Sequence, residues 1–170
     1  MPFNLSTLNV LPAADFVRAA GPLFEHSPWI AERAAAARPF ATLEAMHQTL
    51  VAVVAAASNA EQVGLIAAHP DLAGKLAVAG LLTADSTAEQ KTARLDRLSP
   101  ADFTRITALN DAYRAKFDFP FVICVRDHTQ AGIFEAFEQR VANSREAEIK
   151  TALAQIARIA WHRLQALVAD

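Results

Sequence analysis

The chain has one cysteine, one tyrosine and five glycines in 170 residues. The lone thiol, Cys124, excludes an intramolecular disulfide and any zinc site built from several cysteines. The glycines do not compose a phosphate-binding loop, because Gly74 and Gly80 lack both the spacing and a preceding strand. No uncharged apolar run approaches the roughly 20 residues of a membrane-spanning helix; the longest, residues 50–57, is far too short. Charge of one sign is also missing. Sixteen basic side chains oppose 18 acidic ones, for a formal net charge of −2, without a block of either. Neither nucleic acid nor a membrane surface is therefore expected as a partner. No charged-then-apolar leader follows Met1, and residues 167–170 carry no peroxisomal tripeptide, so the expectation is a cytoplasmic protein. Of five histidines (His26, His47, His69, His128, His162), none forms the i, i+4 pair of a zinc helix, and no metal site is expected.

What is abundant is apolar surface at helical spacing. Hydrophobic residues make up 53% of the chain, enough to exclude disorder, and the length fits one domain, residues 1–170. Phe40, Leu43, Met46, Leu50, Val51 and Val54 step by threes and fours, as do Phe103, Ile106, Asn110, Tyr113 and Phe117. Ile149, Leu153, Ile156, Leu164 and Leu167 mark a long amphipathic helix. Ser27-Pro28 and Ser99-Pro100 place a capping hydroxyl before a proline suited to the first helical position, and Thr129 opens a further helix. Ser86 to Glu89 match a capping box. Residues 119–126 are the exception, read as an extended segment threading the core, whose amides need acceptors elsewhere. These signals predict an all-α fold of about eight or nine helices with that one extended segment.

Three features carry candidate chemistry. His69 precedes Pro70, and a residue before proline is pushed out of the helical region, so His69 cannot extend the run Val63-Gly64-Leu65-Ile66. Histidine is the side chain whose unperturbed pKa lies nearest neutral pH. His69 is either a helix-end residue or a histidine aimed by its backbone. Ser86, Glu89 and Gln90 either cap a helix or bind a polarised carbonyl or carboxylate. Arg126 either joins a salt bridge or forks onto a planar anionic or ureido group. Cys124, in an apolar run, is expected to be inert.

The blocks Leu23-Phe24-Glu25-His26-Ser27-Pro28-Trp29, Arg38-Pro39-Phe40, His69-Pro70-Asp71-Leu72-Ala73-Gly74-Lys75, Leu109-Asn110-Asp111-Ala112-Tyr113-Arg114-Ala115-Lys116-Phe117 and Phe119-Pro120-Phe121-Val122-Ile123-Cys124-Val125-Arg126 occur in one order. Together they resemble the 2-oxo-4-hydroxy-4-carboxy-5-ureidoimidazoline (OHCU) decarboxylases of urate breakdown. The resemblance implies an all-helical, cofactor-free carboxy-lyase that yields (S)-allantoin, commonly as a homodimer. It further implies that His69 is catalytic, with Glu89 beside it. Pro70, the stretch Ser86, Thr87, Ala88, Glu89 and Gln90, and the backbone of Phe121, Val122, Ile123, Cys124 and Val125 would contact the ureidoimidazoline substrate, with Arg126 near them. Asp118 stands where the family more often has glycine; if that position needs a positive φ, Asp is among the few residues that tolerate it. A non-catalytic ureide-binding module and a related imidazolone or ureide hydrolase are the alternatives. Hydrolysis would ordinarily need metal ligands or a nucleophile that these residues do not supply.

Overall fold

Helix ends in this chain are set largely by short polar side chains placed next to apolar periodic runs. The computed structural model describes residues 3–168, so the readings made on the chain ends fall partly outside the described residues. Ten α-helical segments follow in order: α1 (Leu5–Val10), α2 (Ala13–Ala20), α3 (Trp29–Ala34), α4 (Leu43–Ala56), α5 (Asn59–Ala67), α6 (Lys75–Val78), α7 (Ala84–Thr92), α8 (Pro100–Phe117), α9 (Gln130–Arg140) and α10 (Arg145–Leu167). Nine exceed a single turn, and no strand forms among the described residues, so the fold is all-α as the spacing predicted. No single helix there is long and apolar enough to cross a membrane.

Contacts divide the chain into two compact units, Met1–Ala68 with Ala157–Asp170, and His69–Ile156. In the first, α3 packs on α2 and α4. Asn4, Thr42 and Ser58 cap α1, α4 and α5, and Ser58 with Glu61 forms a reciprocal capping box. Leu8, Phe16, Ile30, Met46, Leu50 and Leu164 are fully buried there. The charged pair Arg163–Glu25, at 3.0 Å, is buried with them. His47 is packed, its Nε2 2.8 Å from the Ala157 carbonyl and its ring edge-on to Trp161.

The second unit carries every candidate site residue. Ser99 caps α8 through Asp102 N–H at 3.1 Å, with Pro100 at the first helical position, and Thr129 caps α9 through Gly132 N–H, both as expected. Ile106, Asn110, Tyr113 and Phe117 form the buried stripe of α8, but Phe103 is 42% exposed because it lies a turn before that stripe reaches the core. α8 ends at Asp118, whose φ of 61° is the left-handed geometry that its side chain tolerates.

Two start signals did not act as expected. Ser27 does not cap a helix: its hydroxyl donates to the Glu25 carbonyl, and α3 begins after Pro28 without a side-chain cap. Ser86 is not the cap of α7 either. Thr83 takes that position, its hydroxyl accepting from Ser86 N–H at 3.2 Å, which places Ser86 inside the first turn.

Candidate functional site

Moving the cap back to Thr83 decides which way α7 faces. Ser86, Glu89, Gln90 and Ala93 then share one side at i, i+3, i+4 and i+7, and all four are buried. Thr87 is half-buried and Ala88 exposed on the other sides. Ser86 and Glu89 are each engaged by a neighbour. The polar face of this short helix is turned inward, where a polar group is costly unless it is hydrogen-bonded or paired.

His69 lies two residues beyond the end of α5, as the proline rule required, and is only 7% exposed. It too is engaged by a neighbour. The loop it opens, residues 69–74, is tied down at successive positions. Gln90 Oε1 accepts from Ala73 N–H at 2.9 Å, and its Nε2 reaches the Asp71 carbonyl at 3.4 Å. Asn110 Nδ2 donates to the Leu72 carbonyl at 2.9 Å. Arg114 Nε meets both carboxylate oxygens of Asp71, at 2.9 and 3.1 Å. The backbone needs such support. Ala73 has φ +48°, a conformation that costs a residue bearing Cβ about 1–2 kcal/mol. A Cβ at Gly74 would come within 2.8 Å of Asp71 Cβ, so only glycine fits the turn.

The third component is the extended segment. Residues 119–125 are buried throughout, and backbone groups of Val122 and Cys124 find the side-chain partners that burial calls for. Gln155 Oε1 accepts from Cys124 N–H at 2.9 Å, and Arg140 Nη1 donates to the Val122 carbonyl at 2.8 Å. Arg140 also lies over the Phe121 ring, 4.3 Å from its centroid, and pairs with Glu148. Glu148 is completely buried and accepts further from Tyr113 Oη and Asn143 Nδ2. Burial, then the hydrogen bond to Glu148, pushes the Tyr113 phenol above its ordinary range. Burial, with the Asp127 carboxylate adding to it, pushes the Cys124 thiol up to about 11, consistent with an inert cysteine.

At Val125 the chain bends into a 3₁₀ turn, Val125–Asp127, which packs against α7. The Ser86–Gln90 stretch and the end of the extended segment are thereby brought together, and Gln90 ties α7 to the loop behind His69. Pro70 is half-buried beside it. Arg126 is the outlier: the turn places its side chain on the exposed surface. A cavity of about 520 Å³ adjoins α7, lined by Ala73, Val78, Thr87, Gln90, Lys91 and Phe103 among others. Of the candidate site residues named from the sequence, Thr87 and Gln90 line it.

Asn110, Arg114, Arg140 and Gln155 support this site and were not singled out for it. Asn110 did carry a signal. A polar amide in an otherwise apolar helical stripe must find a buried partner, and here that partner is the loop after His69.

A sequence model of the family described as OHCU decarboxylase matches residues 9–165. A 2-oxo-4-hydroxy-4-carboxy-5-ureidoimidazoline decarboxylase of Halalkalicoccus jeotgali is 39% identical over 164 residues, covering 96% of this chain and 91% of the relative. A uric acid degradation bifunctional protein of Bacillus sp. (strain TB-90) is 37% identical, covering 95% of this chain but 32% of that protein. Among solved structures, (S)-allantoin synthase superposes with a TM-score of 0.78 at 28% identity; it covers 99% of this chain, which spans about half (54%) of that one. An OHCU decarboxylase crystallised in the presence of (S)-allantoin shares the fold, with a TM-score of 0.70 at 22% identity over 92% of this chain and 98% of that one.

Proposed function

The chain belongs to the OHCU decarboxylase family, and from that premise we propose that it is a carboxy-lyase converting 2-oxo-4-hydroxy-4-carboxy-5-ureidoimidazoline to (S)-allantoin in urate degradation. The substrate holds its own electron sink. When the carboxylate leaves as carbon dioxide, its bonding pair enters the ring as a carbon–carbon double bond, and the adjacent C=N pair moves onto nitrogen, which takes a proton. The resulting enol-like ring then loses its hydroxyl proton to become a carbonyl and gains a proton on the neighbouring carbon. The net reaction consumes one proton and asks no cofactor to store electrons.

The protein's share is orientation and proton transfer. We assign proton transfer to His69, because a positioned imidazole can move protons at neutral pH and contributes on the order of 10²–10⁴-fold. The observation that supports this most is its burial at the head of a loop fastened to the inward polar face of α7. In this reading Glu89 pairs with the imidazole or accepts the ureido N–H groups, Ser86 and Gln90 orient the ring, and Pro70 and Thr87 complete the wall, while Ala88, exposed on another side of α7, has little support as a contact. The backbone of Phe121, Val122, Ile123, Cys124 and Val125 flanks the ring, with preorganised amides of the segment other than that of Cys124, which Gln155 occupies, holding the ring carbonyl. Arg126, exposed on its turn, has the weakest support as a contact. The family resemblance is what supports a homodimer.

His69→Ala and His69→Asn test the assignment. Both fold normally and turn over slowly; near-normal turnover by both removes His69 from the chemistry.

A further inference from the structure

We propose that Asp71, Arg114 and Asn110 are positioning residues for the decarboxylation, a clamp that fixes the loop of residues 69–74 and thereby aims the His69 imidazole. The inference rests on the proton-transfer role given to His69 above.

Three observations carry it. The loop departs from relaxed geometry at Ala73 and tolerates only glycine at position 74, so its shape is imposed from outside. Two of its groups are held by α8: the Leu72 carbonyl by Asn110 Nδ2, and the Asp71 carboxylate by Arg114 Nε. Asn110 and Arg114 lie one helical turn apart on α8, so they grip consecutive residues of the loop from a single rigid support.

The chemistry of Asn110 strengthens the case. It is 6% exposed, and its Oδ1 makes no hydrogen bond among the described residues. An apolar side chain of similar size would avoid that unpaired acceptor. What only the amide supplies is the donor to Leu72, so the value of the residue lies in the loop it holds. Arg114 differs in kind. Its side chain is 46% exposed and its partner 26%, and such a pair adds little to global stability. A strong effect of breaking it on turnover is therefore an effect on the loop.

The test reverses the pair: Asp71→Lys, Arg114→Glu and the two combined, assayed on fresh substrate beside His69→Ala. Each single variant melts within a few degrees of the parent and loses kcat by about tenfold or more with little change in KM, because displacement of a catalytic group by a fraction of an ångström acts on turnover. The double variant recovers most of that loss, and Asn110→Leu, which keeps volume but not the donor, lowers kcat without raising KM. Single variants within twofold of the parent, or a double variant no better than either single, overturn the clamp while His69→Ala stays slow. Normal turnover by His69→Ala overturns the underlying role of His69 instead.

Discussion

Replacing Arg140 by methionine removes one member of a buried charge network and strips a hydrogen bond from the extended segment. Glu148 is 0% exposed and receives Arg140 Nε at 3.0 Å, with Nη2 a further 3.0 Å charge contact. Once the guanidinium is gone, only the neutral donors of Tyr113 and Asn143 face a carboxylate that no water reaches. Leaving one charge of such a pair uncompensated costs about 3–5 kcal/mol. The lost bond to the Val122 carbonyl adds about 1 kcal/mol. For a chain of this length each kcal/mol lowers Tm by roughly 2–4 °C, so the variant should melt on the order of 10 °C or more below the parent. Arg140→Met combined with Glu148→Met removes both charges and regains part of the loss, with a coupling of roughly 1–3 kcal/mol from the double-mutant cycle. The assay is thermal or urea unfolding of all four proteins, followed by KM for those that fold. An Arg140→Met variant within about 1 kcal/mol of the parent, or a double variant whose loss equals the sum of the singles, refutes the reasoning.

The thiol of Cys124, held near 11, should not react with a disulfide reagent at pH 8 in the native protein and should react at once after unfolding; rapid stoichiometric labelling of folded protein contradicts this. At Asp118, φ 61° predicts that alanine lowers stability by about 1 kcal/mol while glycine holds or raises it, read from denaturant midpoints. Equal effects of the two would mean that backbone geometry is not what the position demands.

Local signals explain which parts of this molecule were legible. Ser99-Pro100 and Thr129 fix helix starts because each hydroxyl has a free amide three residues on and no rival nearby. Pro70 fixes the exit of His69 from the helix, and the loss of glycine at Asp118 is explained by a side chain that accepts the left-handed turn. The start of α7 was misread at Ser86 because Thr83, three residues earlier, is also a hydroxyl ahead of a cappable position. The choice was made by burial: with Thr83 as cap, Ser86, Glu89, Gln90 and Ala93 fall on one inward face. Ser27 was misread because its hydroxyl found a nearer carbonyl. Arg126 looked like the last residue of an extended run, but the chain bends one residue earlier. The supports of the site were out of reach of any periodic pattern, since Arg114 meets Asp71 43 residues away and Gln155 meets Cys124 31 residues away. Such pairings are set by packing of whole helices, which single-chain spacing does not encode.

Decay of the substrate in water also yields allantoin, but as equal amounts of both hands. Circular dichroism of allantoin formed from freshly oxidised urate therefore reads the central claim directly. With the protein present, the product should carry the signal of the S enantiomer and carbon dioxide should be released faster than without it. A racemic product formed at the uncatalysed rate would contradict the account.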